Sequence, residues 1–330
     1  MDIRTALKEA MFRLHEARVP SHSLAAELLL MHATGRDRAW LFAHPEESLE
    51  SAHARHFFEL VARRAAGTPT QYLTGKQEFW DLEFEVTPDV LIPRPETEHV
   101  VEVALERMGH HRPPRPAASG AGLRIADVGT GSGCLAVALA VEFPGATVVA
   151  TDVSAKALDV ARRNAARHGV ANRIEFHECN LLDPFLHSPA RRSLGDGGPL
   201  ARPPKPWRRR VTPLPAEASE KAGHSPLLFD LIVSNPPYVA REEEHALPRE
   251  VREHEPHAAL FGGEKGRELY APLIRQAAAL LRSGGTLVCE IGYNALGRVR
   301  PLLDDEAVWN CVGVTNDLAG IPRVLAAERV

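Results

Sequence analysis

The chain has 330 residues, of which 44% are apolar, so it can bury a substantial core and is not disordered throughout. Its 39 basic and 43 acidic residues give a net charge of -4, which predicts no chain-wide attraction to nucleic acid or to an anionic membrane. The 4 cysteines lie far apart, and no apolar run approaches the roughly 20 residues that span a bilayer. We therefore expect a cytoplasmic protein that does not enter a membrane.

The first part of the chain has a helical pattern. Between residues 2 and 68 the apolar residues recur at helical spacing, which predicts a small helical bundle. We assign this N-terminal domain to residues 1–75. Alternating apolar residues between Gln77 and Ile92 then predict a short β-hairpin, which serves as a linker over residues 76–94.

The third predicted domain, residues 95–330, alternates strands with helices. Strands are predicted at residues 123–128, 147–151, 173–177, 229–234 and 286–291, and helices at 134–143, 155–168 and about 269–281. This rhythm is typical of an α/β fold with a Rossmann-like, mostly parallel sheet and helices on both faces. Ligands of such sheets bind at the carboxyl ends of the strands.

Residues 187–226 interrupt this rhythm. They contain eight prolines and four glycines, with eight basic and three acidic residues. This composition predicts a disordered insertion. It is either a tolerated surface loop or a segment that contacts RNA or the ribosome.

A glycine-rich loop follows the first strand of the predicted sheet. Its candidate cofactor-binding residues are Asp127, Gly129, Thr130, Gly131, Ser132 and Gly133. The glycines alternate, unlike those of the Gly-x-Gly-x-x-Gly dinucleotide fingerprint, and an aspartate at the strand end suits a ligand with an ammonium group. Asp152 ends the second strand about twenty residues later, where an acid can accept both hydroxyls of a ribose. A ribose and an ammonium group without a diphosphate indicate S-adenosyl-L-methionine.

Two of these assignments have simpler alternatives. Asp152 could cap the helix that follows it, although Ser154 is better placed for that role. Asn180 and Leu181 follow the third strand, where a side chain could reach the adenine of the cofactor, but an asparagine is also common at strand ends.

The fourth strand runs into the sequence Asn235-Pro236-Pro237-Tyr238. Two prolines stiffen the backbone and remove two N–H donors, so this corner presents acceptors. We expect the Asn235 side-chain oxygen and the Pro236 carbonyl to hold a planar NH2 group, with Tyr238 stacked against it. Asn235, Pro236 and Tyr238 are therefore the candidate catalytic residues, Pro237 joins them in binding the substrate, and Asn235 also borders the cofactor. No metal is required; a turn with an Asx hydrogen bond is the alternative.

Together these motifs resemble the HemK/PrmC family of peptide chain release factor glutamine N5-methyltransferases. The resemblance covers nearly the whole chain except residues 187–226. It is also carried by Gln71-Tyr72-Leu73-Thr74-Gly75, Glu78-Phe79-Trp80, Ile92-Pro93-Arg94-Pro95-Glu96-Thr97-Glu98 and residues 317–324. Family members commonly have an acidic residue and an aromatic one where this chain has Asn180 and Leu181.

The resemblance implies a class I methyltransferase that uses S-adenosyl-L-methionine. The implied acceptor is the glutamine of the Gly-Gly-Gln motif of release factors 1 and 2, which the N-terminal domain contacts, so the reaction modulates translation termination. The segment around Arg94 is implied to form part of the wall over cofactor and acceptor. Arg94 either contacts the acceptor loop or pairs with Glu96 or Glu98. We expect a monomer.

Two other functions are compatible with parts of the pattern. The Asn-Pro-Pro-Tyr motif also occurs in adenine-N6 DNA methyltransferases, but the balanced charge and the lack of a separate basic domain argue against a nucleic-acid substrate. A cofactor-dependent binding module without catalysis is the second alternative.

Overall fold

A computed structural model describes residues 1–109, 122–186, 228–304 and 308–330, and the predicted insertion at 187–226 lies outside these ranges. The helices are α1 (Ile3–Glu16), α2 (His22–Thr34), α3 (Arg38–Ala43), α4 (Ser51–Ala65), α5 (Thr70–Thr74), α6 (Glu98–Met108), α7 (Cys134–Glu142), α8 (Ala155–Arg167), α9 (Asp183–Leu186), α10 (Arg249–His254), α11 (His257–Leu260), α12 (Tyr270–Leu280) and α13 (Leu296–Asp304). The strands are β1 (Lys76–Phe79), β2 (Leu82–Glu85), β3 (Arg124–Val128), β4 (Thr147–Asp152), β5 (Ile174–Glu178), β6 (Phe229–Ser234), β7 (Leu281–Glu290), β8 (Trp309–Asn316) and β9 (Pro322–Arg329).

The N-terminal helices form the predicted bundle. The side chain of Asp2 caps α1 by accepting from the Thr5 amide at 2.7 Å, and Gly35 ends α2 in the left-handed conformation. The helices share one core, whose larger buried side chains are Ile3, Leu14, Leu29, Leu30, Leu41, Phe57 and Leu60. Burial of one apolar face of each helix therefore stabilises the bundle.

An ion pair connects the bundle to the α/β part of the chain. The guanidinium of Arg64, on α4, pairs with the carboxylate of Glu250, on α10. Only 6% of the Arg64 side chain is exposed, against 28% for Glu250. This largely buried contact fixes the bundle against the segment that follows the Asn-Pro-Pro-Tyr corner.

The predicted linking hairpin is confirmed as the antiparallel pair β1–β2. Its two turn residues, Trp80 and Asp81, both have positive φ, which matches the twist of a two-residue turn between antiparallel strands. The Trp80 amide donates to Glu98 at 2.9 Å and its indole donates to Glu142 at 2.8 Å. These two bonds attach the hairpin to α6 and α7.

The remaining strands form one sheet in the order β5-β4-β3-β6-β7-β9-β8. The first five are parallel, as predicted, and β9 and β8 are antiparallel additions that the apolar pattern did not reveal. After β5 the chain crosses back to place β6 on the other side of β3. This reversal is the switch point at which open α/β sheets bind ligands.

Most predicted boundaries agree with the observed ones within two residues. The exception is β7, which begins at Leu281, five residues before the predicted start, because its register with β6 is irregular there. No helix within the described ranges has the length and apolar character needed to cross a bilayer.

Candidate active site

The site lies at the carboxyl edge of the sheet, where four strands end in register. The residues paired across this edge are Thr151, Val128, Ser234 and Cys289. The residues that directly follow them are Asp152, Gly129, Asn235 and Glu290. Register alone therefore brings the glycine loop, the candidate ribose acid and the Asn-Pro-Pro-Tyr corner together. It also adds Glu290, which the sequence analysis did not single out.

The glycine loop has an open surface. Gly129, Gly131 and Gly133 have φ values of +76°, +55° and +83°, a region that favours glycine. A Cβ added at Gly129 or Gly131 would meet no atom within 4 Å, whereas one at Gly133 would lie 3.0 Å from the Cβ of Ala161. The first two glycines thus leave room for a ligand against the backbone, and the third allows α7 to begin close to α8.

Asp127 lies beneath this loop and is fully buried. Its Oδ2 accepts from the Thr130 hydroxyl at 2.6 Å and from the Ala136 amide at 3.0 Å. Its Oδ1 is buried without a hydrogen-bond partner in the described part of the chain. Burial raises the pKa of Asp127 to about 7. An unsatisfied buried carboxylate oxygen is suited to an ammonium group, which would supply both a donor and a compensating charge.

Thr130 and Ser132 are candidate cofactor-binding residues of the same loop, and this assignment stays a prediction. Both side chains are buried, and the Thr130 hydroxyl donates its hydrogen bond to Asp127. The carbonyl of Ser132 accepts from Asn164 of α8 at 2.9 Å. Asn164 also exchanges two hydrogen bonds with the backbone of Glu85, so one buried amide that the sequence analysis missed joins the glycine loop to the hairpin.

Asp152 holds the loop from the neighbouring strand. Its Oδ2 accepts from the Gly131 amide and its Oδ1 from the Ser154 amide, both at 2.9 Å. The Ser154 hydroxyl caps α8 by accepting from Ala157 at 3.2 Å, so the capping role belongs to Ser154. Burial raises the pKa of Asp152. Each of its oxygens retains capacity for another hydrogen bond, so ribose binding stays a prediction compatible with the geometry.

Asn180 and Leu181 lie beyond the end of β5. The Asn180 side chain is exposed and donates to Asp183 at 3.3 Å. Leu181 has a φ of +49°, an uncommon conformation for a leucine, so the chain turns sharply here. The amide of the preceding Cys179 donates to the Asp152 carbonyl at 2.9 Å, which keeps this turn beside the candidate ribose site. Contact with adenine stays a prediction.

The Asn-Pro-Pro-Tyr corner is tightly backed. Pro236 is buried, whereas Asn235, Pro237 and Tyr238 are half-buried. A Cβ on Gly262 would collide with the Pro237 carbonyl oxygen, and one on Gly292 would lie 2.8 Å from the Tyr238 ring. The corner therefore has little room to shift, as expected of a site that must orient a ligand.

A buried carboxylate holds the corner from behind. The Thr97 hydroxyl donates to Oε2 of Glu290 at 2.6 Å, and the Tyr238 hydroxyl donates to Oε1 at 3.2 Å. Asn235 in turn donates its Nδ2 to the Thr97 hydroxyl oxygen at 2.9 Å. The sequence contained a signal for Glu290, since it is an acidic residue at the end of an otherwise apolar strand, in register with Asn235.

Glu290 is 1% exposed, and burial raises its pKa to about 7 against the opposing effect of hydrogen bonds from Thr97 and Tyr238. Among the described residues, the charge of Arg323 also lowers the pKa of Glu290 and that of Glu96 raises it. Glu290 in turn raises the pKa of the neighbouring groups Cys134, Tyr270 and Cys289.

The ion-pair partner of Arg94 is distant in sequence. Arg94 pairs with Glu255 at 2.5 Å, so the alternative of a pairing with Glu96 or Glu98 is wrong, while contact with the acceptor loop stays a prediction. The reason is that Glu255, whose side chain is 1% exposed, needs a cation, while Glu98 already accepts from the Trp80 amide. The Arg94 side chain remains 32% exposed.

Comparison with known proteins agrees with this architecture. The PrmC N-terminal domain matches residues 5–75, and a methyltransferase domain matches residues 119–191. The release factor glutamine methyltransferase of Koribacter versatilis is 38% identical over 100% of this chain and 99% of its own length. That of Moorella thermoacetica is 39% identical over the same shares.

The chain belongs to the release factor glutamine methyltransferase family. Membership confirms the predicted family, methyltransferase activity and the cofactor, S-adenosyl-L-methionine. The open glycine loop and the unsatisfied oxygen of Asp127 fit that cofactor. Among solved structures, the hMettl16 catalytic domain in complex with MAT2A 3'UTR hairpin 6 has a TM-score of 0.51 at 17% identity over 82% of each chain, a likeness of fold alone.

Proposed function

We propose that this enzyme methylates the side-chain amide nitrogen, N5, of the glutamine in the Gly-Gly-Gln motif of release factors 1 and 2. The observation that carries the proposal is the orientation of Asn235. Its Nδ2 donates to Thr97, so its Oδ1 is the end of the carboxamide that can accept from a ligand. The names of the full-length relatives support release factors as the protein substrate.

An amide nitrogen requires this kind of site because its lone pair is delocalised. Asn235 Oδ1 and the Pro236 carbonyl accept the two N–H bonds, and Tyr238 stacks on the amide plane, while Pro237 keeps the corner rigid. These acceptors favour a pyramidal nitrogen and stabilise the positive charge that develops on it. S-adenosyl-L-methionine supplies a methyl group on a sulfonium. The nitrogen lone pair forms the new N–C bond, the C–S electron pair stays on sulfur, and one amide proton leaves to solvent.

The cofactor assignments in this proposal follow the edge of the sheet. Asp127 receives the ammonium group and Asp152 the ribose hydroxyls. The loop from Gly129 to Gly133 lies along the cofactor through its backbone, and Asn180 and Leu181 border the adenine. Asn235 adjoins both cofactor and acceptor. Arg94, part of which stays exposed, contacts the acceptor loop.

The remaining parts of the chain are assigned to substrate recognition. Residues 1–75 contact the release factor, residues 76–94 link this bundle to the catalytic domain, and residues 95–330 carry catalysis. The enzyme acts as a monomer in the cytoplasm, where it modulates translation termination. It needs no metal and no direct contact with nucleic acid.

Methyl-labelled cofactor and an unmodified release factor test the proposal. We expect label in the release factor, none in a variant whose Gly-Gly-Gln glutamine is replaced by glutamate, and little with the Asn235→Ala enzyme. Label in the glutamate variant would show that another residue is the acceptor. Label in an adenine-containing oligonucleotide but not in the release factor would instead support the nucleic-acid alternative.

A further inference from the structure

The carboxamide of Asn235 could occupy its position in either of two orientations of nearly identical shape. They differ by the exchange of Oδ1 and Nδ2, and only one presents an acceptor to a substrate amide. The contact that distinguishes them is the one with Thr97, because the described residues offer the other end of the carboxamide no hydrogen-bond partner. What Thr97 can offer therefore decides which orientation is occupied.

A threonine hydroxyl has one proton to donate and lone pairs to accept. In this structure the Thr97 hydroxyl lies 2.6 Å from Oε2 of Glu290, and at a pH above about 7, where Glu290 is ionised, its carboxylate can only accept. The Thr97 proton is thereby committed to Glu290. The Thr97 oxygen can then only accept from Asn235, so Nδ2 must face it, at 2.9 Å.

Burial of Thr97 and Glu290 leaves little alternative to these hydrogen bonds. Thr97 is 2% exposed and Glu290 is 1% exposed, so water cannot readily replace either bond. Glu290 also accepts from the Tyr238 hydroxyl through its second oxygen. One carboxylate at the end of β7 thus fixes both the amide and the aromatic ring of the catalytic corner.

We propose that Thr97 and Glu290 are positioning residues for methyl transfer: Glu290 orients the Thr97 hydroxyl, and Thr97 orients the Asn235 carboxamide with Oδ1 toward the acceptor amide. This inference rests on the proposed function and deepens it. It gives the Pro-Glu-Thr-Glu segment a physical role, since Thr97 is the member of that segment that contacts Asn235.

The proposal predicts where the kinetic effect of losing the hydroxyl falls. Thr97→Val keeps the side-chain shape but lets Asn235 turn its NH2 outward. Because the acceptor bonds strengthen as charge develops on the substrate nitrogen, the loss appears in kcat more than in KM. We expect kcat to fall by about 10- to 100-fold, the effect of one or two hydrogen bonds. Thr97→Ser, which restores the hydroxyl, should recover most of kcat.

Thr286→Val is the matched control. Thr286 is also buried, at 3% exposure, but lies four residues before Glu290 on the same strand. The three variants are compared in full-length enzyme at saturating cofactor, with thermal melting to verify folding and calorimetry to measure cofactor binding. We expect unchanged kcat in Thr286→Val and unchanged cofactor affinity in both Thr97 variants.

A wild-type kcat in folded Thr97→Val would overturn the proposal, and so would Thr97→Ser impaired as strongly as Thr97→Val. Neutron diffraction of the wild-type protein at about pH 8.5, where Glu290 is ionised, tests the same claim without any methyl acceptor. We expect the Thr97 hydroxyl deuterium to lie toward Glu290 and the Asn235 deuteriums toward Thr97; a Thr97 deuterium directed at Asn235 would refute it. If the wild-type enzyme fails to methylate release factors, the proposed function is wrong, and the neutron map still decides the orientation.

Discussion

The buried oxygen of Asp127 predicts that cofactor binding releases a proton. The carboxyl has a pKa of about 7, because burial outweighs the hydrogen bonds from Thr130 and Ala136, so it is largely protonated at pH 6. A cofactor ammonium beside Oδ1 would favour the ionised form and lower this pKa. Binding should then release about one proton near pH 6 and on the order of a tenth of a proton near pH 8.

Isothermal titration calorimetry in buffers of different ionisation enthalpy measures this release directly. Asp127→Asn removes the titrating group but keeps a side chain of the same shape. We expect the variant to release about one proton fewer than wild type when it binds cofactor at pH 6. At pH 8 it should bind cofactor about 10- to 100-fold more weakly, because one charge-assisted hydrogen bond is lost.

Proton release has to be compared between wild type and Asp127→Asn because Asp152 also titrates. Burial also raises its pKa, so it can contribute protons of its own in both wild type and variant. The difference between the two mainly reports Asp127, because the charge of Asp152 is the smallest of the influences on the Asp127 pKa. Equal proton release in wild type and Asp127→Asn at pH 6 would refute the assignment of the ammonium group to Asp127.

Three further predictions concern stability and the cofactor loop. Gly131→Ala should weaken cofactor binding in calorimetry, because the methyl group enters the open crevice and left-handed φ costs about 1 kcal/mol, whereas Gly133→Ala should mainly lower the melting temperature through its contact with α8. Equal effects on binding would contradict this distinction. Arg64→Met should lower the free energy of unfolding by about 1–3 kcal/mol, measured by urea denaturation, and adding Glu250→Gln should recover part of the loss, because no unpaired carboxylate then remains. No recovery would argue against the ion pair. In the folded protein Glu290 has a pKa of about 7, whereas in the unfolded chain its pKa is near 4.5. The folded state therefore binds the proton more tightly, and the free energy of unfolding should fall as the pH rises between these two values. Glu290→Gln should reduce that slope. An unchanged slope would show that other groups cause it.

The sequence predicted the parts of the fold that depend on local patterns. Apolar runs located the five parallel strands, and the residues after Val128, Thr151 and Ser234 were recognised as candidate site positions because parallel strands end at a common edge. The antiparallel strand β8 was missed because most of its side chains are only partly buried, which weakens the apolar signal. Strand β9 was missed because its buried run has only four residues, two of which are alanines with a low strand preference.

The contacts that hold the site were less accessible to sequence reasoning. Arg94 and Glu255 are 161 residues apart, and Thr97 and Glu290 are 193 apart, so no local spacing indicates these pairs. Strand register supplies the missing information. Once Ser234 is paired with Cys289, Glu290 necessarily lies beside Asn235.

Tandem mass spectrometry of a release factor, after reaction with the enzyme and S-adenosyl-L-methionine, tests the central claim most directly. The account predicts one added methyl group on the side-chain nitrogen of the Gly-Gly-Gln glutamine, absent when Asn235→Ala enzyme is used. A methyl group on any other residue, or an equal yield from that variant, would contradict the claim that this corner orients an amide nitrogen for methyl transfer.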